Sequence, residues 1–474
     1  MNASGKLSTQ STVSRRAFLQ WTGMGAAATM LAACAAPAAQ QGGGQTQSAP
    51  ASAGDKISLS FWTPGGSKMY CDGFGAIAKN YTALNPTIEI EATQCGTGEQ
   101  NFNEVLLARV AAGNPPDTSI IWTSPAAFGA RNALVEVDEL MAGSKYSQKD
   151  AWPTGVLASC IFKSKTYGLP VTAGTYAMYY NGDLLASKGI TKREDFPKTW
   201  DDMRKLSKEL TKWNGDVLET IGILPWRDQY NLPVWSALNG SQLYDGENQK
   251  YLLDNEANVA MMDYGLTWLN EDYQGDINKV TKSGNWTGSP DSEGRPGAFN
   301  EGKQGMFTEG FWFCGDMYNY EVKNTNWNVA SLPVGPGGKQ TVSGYWPNWL
   351  AVPKGSRHPE EAFKYLDYMA GEGIKVWFAN VPDLPANKNV AKDLIPKLTS
   401  EKRGKEFTQE VTDFFRGQLD IATPMWNSPV QDFATDQIGR ALENIYAKKS
   451  TPKDALAEAQ KACQAELDKL LKGA

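Results

Sequence analysis

Residues 297–313 read GAFNEGKQGMFTEGFWF, and two chemistries compete for them. Gly297, Gly302 and Lys303 carry the spacing of a phosphate-cradling loop, whose backbone N–H groups and lysine grip a nucleotide. That chemistry also needs a strand before the first glycine, a helix behind the lysine and a hydroxyl for Mg²⁺. Here a polar loop precedes Gly297, Gln304 stands in the hydroxyl's place, and the glycine-broken, aromatic GMFTEGFWF is a poor helix start. The phosphate reading fails. What remains is Trp312 between two phenylalanines, a face suited to something flat and apolar. Trp226 (LPWRDQY), Trp346 (GYWPNWL) and Trp426 (TPMWNSP) sit in comparable loop phrases, and Asp228, Glu309 and Asp316 flank these aromatics as acceptors. Apolar walls with a few placed polar groups are what small-solute pockets are made of.

Not all 16 tryptophans can belong to such a surface. Trp200, Trp213, Trp268 and Trp377 fall in helical patterns and are assigned to the core, whereas Trp235, Trp286 and Trp349 fit either role. Other chemistries are poorly supplied. His358 is the single histidine, placed in GSRHPEEA at a helix entrance, so a histidine-dependent triad has no base. There is no CxxC, G-x-S-x-G or H-E-x-x-H pattern, and the reading calls for no metal, no cofactor and no catalytic residue. The formal net charge of −6, with no basic block, argues against nucleic acid as a partner.

The N-terminus reads as an address. SRRAFLQ (14–20) puts an arginine pair before a weakly apolar, Gly/Ala-rich run, residues 17–33, too short to span a bilayer comfortably. It has the form of a twin-arginine export signal, residues 1–33. The signal closes on LAAC, which resembles the bacterial lipoprotein box, with Cys34 acylated and becoming the first residue. Residues 34–55, AAPAAQQGGGQ and onward, lack bulky apolar groups and read as a flexible tether to a membrane's outer face. Loss of residues 1–33, which carry three basic residues and no acid, takes the net charge from −6 to −9. Cys71, Cys95, Cys160, Cys314 and Cys463 then allow at most two bridges, whose pairing the sequence leaves open.

Behind the tether, KISLSFW alternates as a strand ending at Trp62, residues 72–84 fit a helix, and TIEIEAT a second strand. EQNFNEVLLARVAAG is an amphipathic helix closed by Gly113, and PPDTSIIW a third strand ending at Trp122. Strand–helix alternation implies a mainly parallel sheet, whose ligands sit beyond the strands' carboxyl ends. Trp62 and Trp122 therefore become candidates for one cleft, with Lys68 and Glu99 near by. Further on, Thr199 caps a helix carrying Asp201 and Asp202 in its first turn, and HPEEAFKYLDYMAG and TPKDALAEAQKACQAELDKLL are strong helices.

These phrases, taken in order, resemble the extracellular solute-binding proteins of ABC importers, and the sugar-binding group above all. The carriers are ARVAAGNPPDTSIIW with ALVEVDEL, YGLPVTAGTYAMYYNGDLLASKGI with PKTWDDM, FNEGKQGMFTEGFWF, WLAVPKGSRHPEEAFKYLDYM, and DLPANKNV with the closing helices. The resemblance covers most of the processed chain. It implies an α/β, two-lobed periplasmic-binding-protein fold of type II, each lobe a mainly parallel sheet flanked by helices. The lobes would comprise residues 56–171 plus 347–381 and residues 172–346 plus 382–474, joined by crossings near 170–174, 342–347 and 381–387. It further implies that GAFNEGK is a helix end and that the loop after it turns Trp312 toward the cleft. Thr175 falls where the chain first crosses between lobes and is expected to face the ligand. The implied function is a monomeric, non-enzymatic receptor that holds a carbohydrate, an oligosaccharide or glycoside, and delivers it to an ABC permease. Indole would cover the C–H face of a pyranose while polar groups take its hydroxyl rim. Two alternatives stay open: a receptor for a polyamine, glycerol phosphodiester or peptide, and a surface glycoside hydrolase, which would need paired carboxylates.

Overall fold

In the computed structural model, residues 56–65, 68–95, 102–224, 228–291, 294–380, 383–390, 393–425 and 427–473 are described. The export signal, the tether with Cys34, and Glu99, Trp226 and Trp426 lie outside these residues, as does the side chain of Lys68. Two sheets organise Gly54–Ala474. The first holds β1 (Ile57–Thr63), β2 (Ile88–Cys95), β3 (Thr118–Ile121), β4 (Leu169–Pro170) and a later strand, Trp349–Ala351. Helix α1 (Lys68–Leu84) connects β1 to β2, and α2 (Phe102–Ala111) connects β2 to β3. Both crossovers leave their strands parallel: Leu59 lies opposite Ile90, and Trp62 opposite Ser119. Alternation in ISLSFWT buries Leu59 and Phe61, and Ser60 turns the other way to bond Asp117.

An aromatic core fastens α1 to this sheet. Phe74 meets Phe61 at 5.1 Å and Trp377 at 4.2 Å between ring centroids. Cys71 near the start of α1 is disulfide-bonded to Cys95, the last residue of β2, with Cα atoms 5.6 Å apart. This settles the pairing that the sequence left open, and Cys160, Cys314 and Cys463 are buried free thiols.

The second sheet is centred on β5 (Gly174–Asn181), whose eight residues are all buried. A strand covered on both faces has no need to alternate, which accounts for the near-continuous apolar run in GTYAMYYN. Along one edge lies β6 (Met306–Gly310); the other edge takes β7 (Trp327–Ala330) and β8 (Ser343–Trp346), the last pairing onward with Ala422–Pro424. All three strands on β5 run antiparallel to it. The expectation of a mainly parallel sheet thus holds for the β1–β2–β3 unit and is corrected here. The parallel rule follows from single crossover helices. Long excursions of several helices separate β5 from β6, and these do not fix strand direction.

Around the second sheet pack Trp200, Trp268 and Trp235, with the helices Trp200–Leu210, Glu256–Asp272, Gln431–Tyr446 and Pro452–Gly473. The Thr199 hydroxyl accepts from the Asp202 N–H at 3.2 Å, the cap its sequence predicts. Trp213 departs from expectation, being half-buried in the hairpin strand Lys212–Asn214 and not in a helix. The two cores are joined where the chain passes from Pro170 to Gly174 and returns from Trp346 to Trp349. Residues 384–386 lie against the first passage: the Ala173 N–H donates to Leu384 O and the Ala386 N–H to Val171 O.

Candidate ligand-binding site

A cavity of about 1080 Å³ opens between the two sheets, where strand ends and passages converge. From the first lobe come Pro64 and Gly65 after β1, Tyr70 on α1, Asn103 on α2, and Trp122 and Thr123 directly after β3. From the second come Tyr176 on β5, Glu309 on β6, Trp312, Asp316, Trp346 at the end of β8, and the Asp228–Tyr230 turn. Asn348 and Asp383 line it from the passages between them. Of the residues expected here, the structure therefore brings together Trp122, Asp228, Glu309, Trp312, Asp316 and Trp346.

Two expected residues fall elsewhere. Trp62 sits inside the β1 ladder and is 8% exposed, with the Arg109 guanidinium 5.5 Å from its ring centre. Reading the strand as ending on Trp62 placed it one position too close to the cavity, whose rim begins at Pro64. Thr175 is fully buried, and its hydroxyl donates to Phe415 O at 2.8 Å. Side chains alternate along a strand, so it is the next residue, Tyr176, that faces the cavity. Trp235, Trp286 and Trp349 are core residues; the last two donate their indole N–H to Val280 O and the Ser159 hydroxyl.

The indoles are held in place. Trp122 Nε1 donates to Asn348 Oδ1 at 2.8 Å, and Asn348 Nδ2 in turn donates to Thr172 Oγ1 and Asp383 Oδ2. A first-lobe aromatic is thereby tied to both passages. Trp312 meets Tyr176 edge to face at 5.3 Å, and Trp346 meets Tyr230 at 6.2 Å. The Trp312 ring occupies the space that a side chain at Gly174 or Gly310 would fill, which is the local reason for glycine in TAGTY and FTEGFW.

Carboxylates crowd the same wall, and their acidities record it. Burial pushes Glu309 up to about 8, helped by the charges of Asp228 and Asp316 and opposed by the Gly310 N–H. Burial also takes Asp316 and Asp383 up to about 7 each. Groups whose folded values lie above the unfolded ones, near about 4, bind more protons in the native state. Their stability contribution is complete below the unfolded values and is lost as pH rises through about 7 to 8. The melting temperature of the ligand-free protein should accordingly fall between pH 5 and pH 8.5, and a Glu309→Gln, Asp316→Asn variant should show a shallower decline by calorimetry. An unchanged slope would contradict this placement of the carboxylates.

Hydrogen bonds also span the cavity's mouth. Asp432, on the helix Gln431–Tyr446, accepts from the Thr123 hydroxyl at 2.6 Å and from Asn103 Nδ2 at 3.1 Å. Ser124 N–H reaches Gln431 Oε1 at 3.4 Å. The lobes are therefore in contact around the cavity. Sequence reasoning missed Asp432, Asn348, Asp383, Tyr176 and Tyr230. Only Asp383 carried a local signal, an acid alone in the apolar, proline-bounded VPDLP.

The model of the family "Bacterial extracellular solute-binding protein" matches residues 72–376, more than half of the chain. The arabinooligosaccharide-binding protein of Bacillus subtilis (strain 168) is 24% identical over 411 residues, covering 84% of this chain and 90% of its own. A maltooligosaccharide ABC transporter solute-binding lipoprotein of Streptococcus pneumoniae (strain ATCC BAA-255 / R6) is 26% identical over 360 residues, 73% and 76% of the two chains. The structure of CpMnBP1 with mannotriose bound superposes with a TM-score of 0.70 at 22% identity, covering 86% of this chain and 100% of that one. Two lobes around a shared cavity, and a family match that spans both, show that this chain belongs to the bacterial extracellular solute-binding proteins.

Proposed function

We propose that the protein is an extracytoplasmic receptor that closes on an oligosaccharide or glycoside and hands it unchanged to an ABC importer. The observation that carries this reading is the meeting of Trp122 from one lobe with Trp312 and Trp346 from the other, around one cavity with polar groups on its rim. An indole face offers a pyranose its apolar contact, while Asn348, Asn103 and the carboxylates can accept or donate to its hydroxyls. Relatives named for arabino- and maltooligosaccharides support the same ligand class. The lobe limits 171/172, 346/347 and 381/382 belong to this reading. So do attachment to the membrane through an acylated Cys34, export by the twin-arginine signal, and action as a monomer. No bond is made or broken, and the protein is a binder and not an enzyme.

Closure follows from differential affinity, since a solute shifts the lobes only by what it gains in the closed form over the open one. Hydrogen bonds at Asp432 add to that form without ligand. At about 1 kcal/mol net for each of the two, their removal in Asp432→Ala should weaken binding by roughly 30-fold. The variant's radius of gyration without ligand should also rise in small-angle scattering; an unchanged radius and affinity would show that the contact is idle. The assignment itself is tested by titrating the purified protein with mono-, di- and oligosaccharides and following tryptophan fluorescence. Saturable quenching or enhancement by at least one of them is expected. No response across the panel would overturn the sugar reading.

A further inference from the structure

Among the described residues the cavity's charge is one-sided. Its described lining residues include Glu104, Asp228, Glu309, Asp316, Asp383, Asp432 and Asp436, and no lysine or arginine. A cluster of acids could be mere surface, but one member here is not. Asp383 is only 1% exposed; its carboxyl group takes Asn348 on one oxygen and has the Thr172 hydroxyl and the Leu384 N–H near by, while no donor meets its Oδ1 in hydrogen-bond geometry. That oxygen stands over Gly174 beside the Trp312 ring, in the space that a side chain there would occupy. Asp316 Oδ1 is likewise without a partner. Among the described residues no group of His, Cys, Asp and Glu has the arrangement of a metal site.

Buried acceptors left without donors are costly, and ionised ones more so. Hydroxyls of a neutral sugar could donate to them, yet would leave the carboxylates' mutual repulsion in place. An ammonium group supplies three N–H donors and cancels that repulsion, and it also gains from adjacent indole and phenol faces. On the reading of the protein as a sugar receptor, we infer that its preferred ligand is an amine-bearing glycoside, whose ammonium sits between Trp312 and the carboxylates of Glu309, Asp316 and Asp383. The rings flank the ligand as they would for a neutral sugar, and the charge selects among sugars.

The acidities agree with this placement. Burial, helped by like charges at Glu309 and Asp383, keeps these two and Asp316 partly protonated near neutral pH, and an arriving cation would drive those protons off. The groups facing them are Asp228 from the turn before Leu232, Tyr176 from β5, and Thr172 and Asn348 from the passages between the lobes. None of these brings a positive charge.

The test pairs ligands that share ring and linkage and differ in one substituent, such as glucosamine oligomers against cello-oligosaccharides of equal length. Calorimetry at pH 7 should give the amine at least tenfold tighter binding, with proton release seen as an enthalpy that depends on the buffer. Asp316→Asn and Asp383→Asn, checked for folding by circular dichroism, should shrink the amine-to-neutral affinity ratio by about tenfold. That ratio is insensitive to general loosening of the cleft. Equal affinity for both members of a pair would overturn the inference and leave the sugar reading intact. Binding of linear polyamines with no glycoside bound would overturn both.

Discussion

Replacing Trp312 by alanine is expected to raise the Kd for the bound glycoside by about 30-fold or more. Buried tryptophan contacts at the centre of a site commonly contribute about 2 kcal/mol or more, and each 1.4 kcal/mol is tenfold in affinity. Trp312 has this position. It is part-exposed into the cavity, braced by Tyr176 at 5.3 Å, and seated over two glycines. The effect should come from loss of an apolar face and not from collapse, because the indole is only peripheral to either core cluster. A companion variant separates ring from fold: Gly310→Ala keeps the indole but places a methyl group where the ring lies. It should weaken binding by about tenfold with the circular dichroism spectrum unchanged. Titration calorimetry of the two variants reads both effects, and wild-type affinity in Trp312→Ala would remove the ring from the site.

The second large effect concerns the disulfide. Cys71→Ser with Cys95→Ser should lower unfolding stability by about 3 kcal/mol, the loop-closure entropy for a separation of 24 residues. Its consequence reaches beyond stability. Cys71 follows Tyr70, which lines the cavity, and the partner Cys95 closes β2 beside the same wall. Freed of the link, the start of α1 has the ring contacts of Phe74 with Phe61 and Trp377 to hold it. Ligand affinity should therefore fall together with the denaturant midpoint. Reductant should shift the midpoint of the natural protein and leave that of the double variant where it is. Identical midpoints for the two proteins would show that the link contributes nothing.

Much of the fold was legible because its signals are local. Alternation in KISLSFW and TIEIEAT, the helix spacing of NFNEVLLARV, and the cap at Thr199 each depend on a few neighbouring residues, and each element formed. The antiparallel second sheet was not legible, since the direction of strands on β5 is decided by excursions of many residues between partners. Within the site, the loop-borne Trp312 and the strand-end Trp122 and Trp346 could be found, because an indole in or beside a turn has little core to enter. Trp62 and Thr175 show the limit of that reasoning. A strand's register turns each side chain to one face or the other, and an error of one position exchanges Tyr176 for Thr175. Asn348 and Asp432 were out of reach for another reason. Their roles arise from partners far along the chain, Trp122 with Asn348 and Thr123 with Asp432, and nothing around them in sequence marks those meetings.

The claim on which the rest depends is that tryptophans from both lobes enclose one solute and release it chemically intact. Mass spectrometry of the protein under gentle conditions after incubation with the best ligand of the titration panel tests it directly. One solute per chain is expected, recovered after denaturation with its mass unchanged, and no retained solute in Trp122→Ala, Trp312→Ala protein. A cleaved or modified solute, or full retention by that double variant, would contradict it.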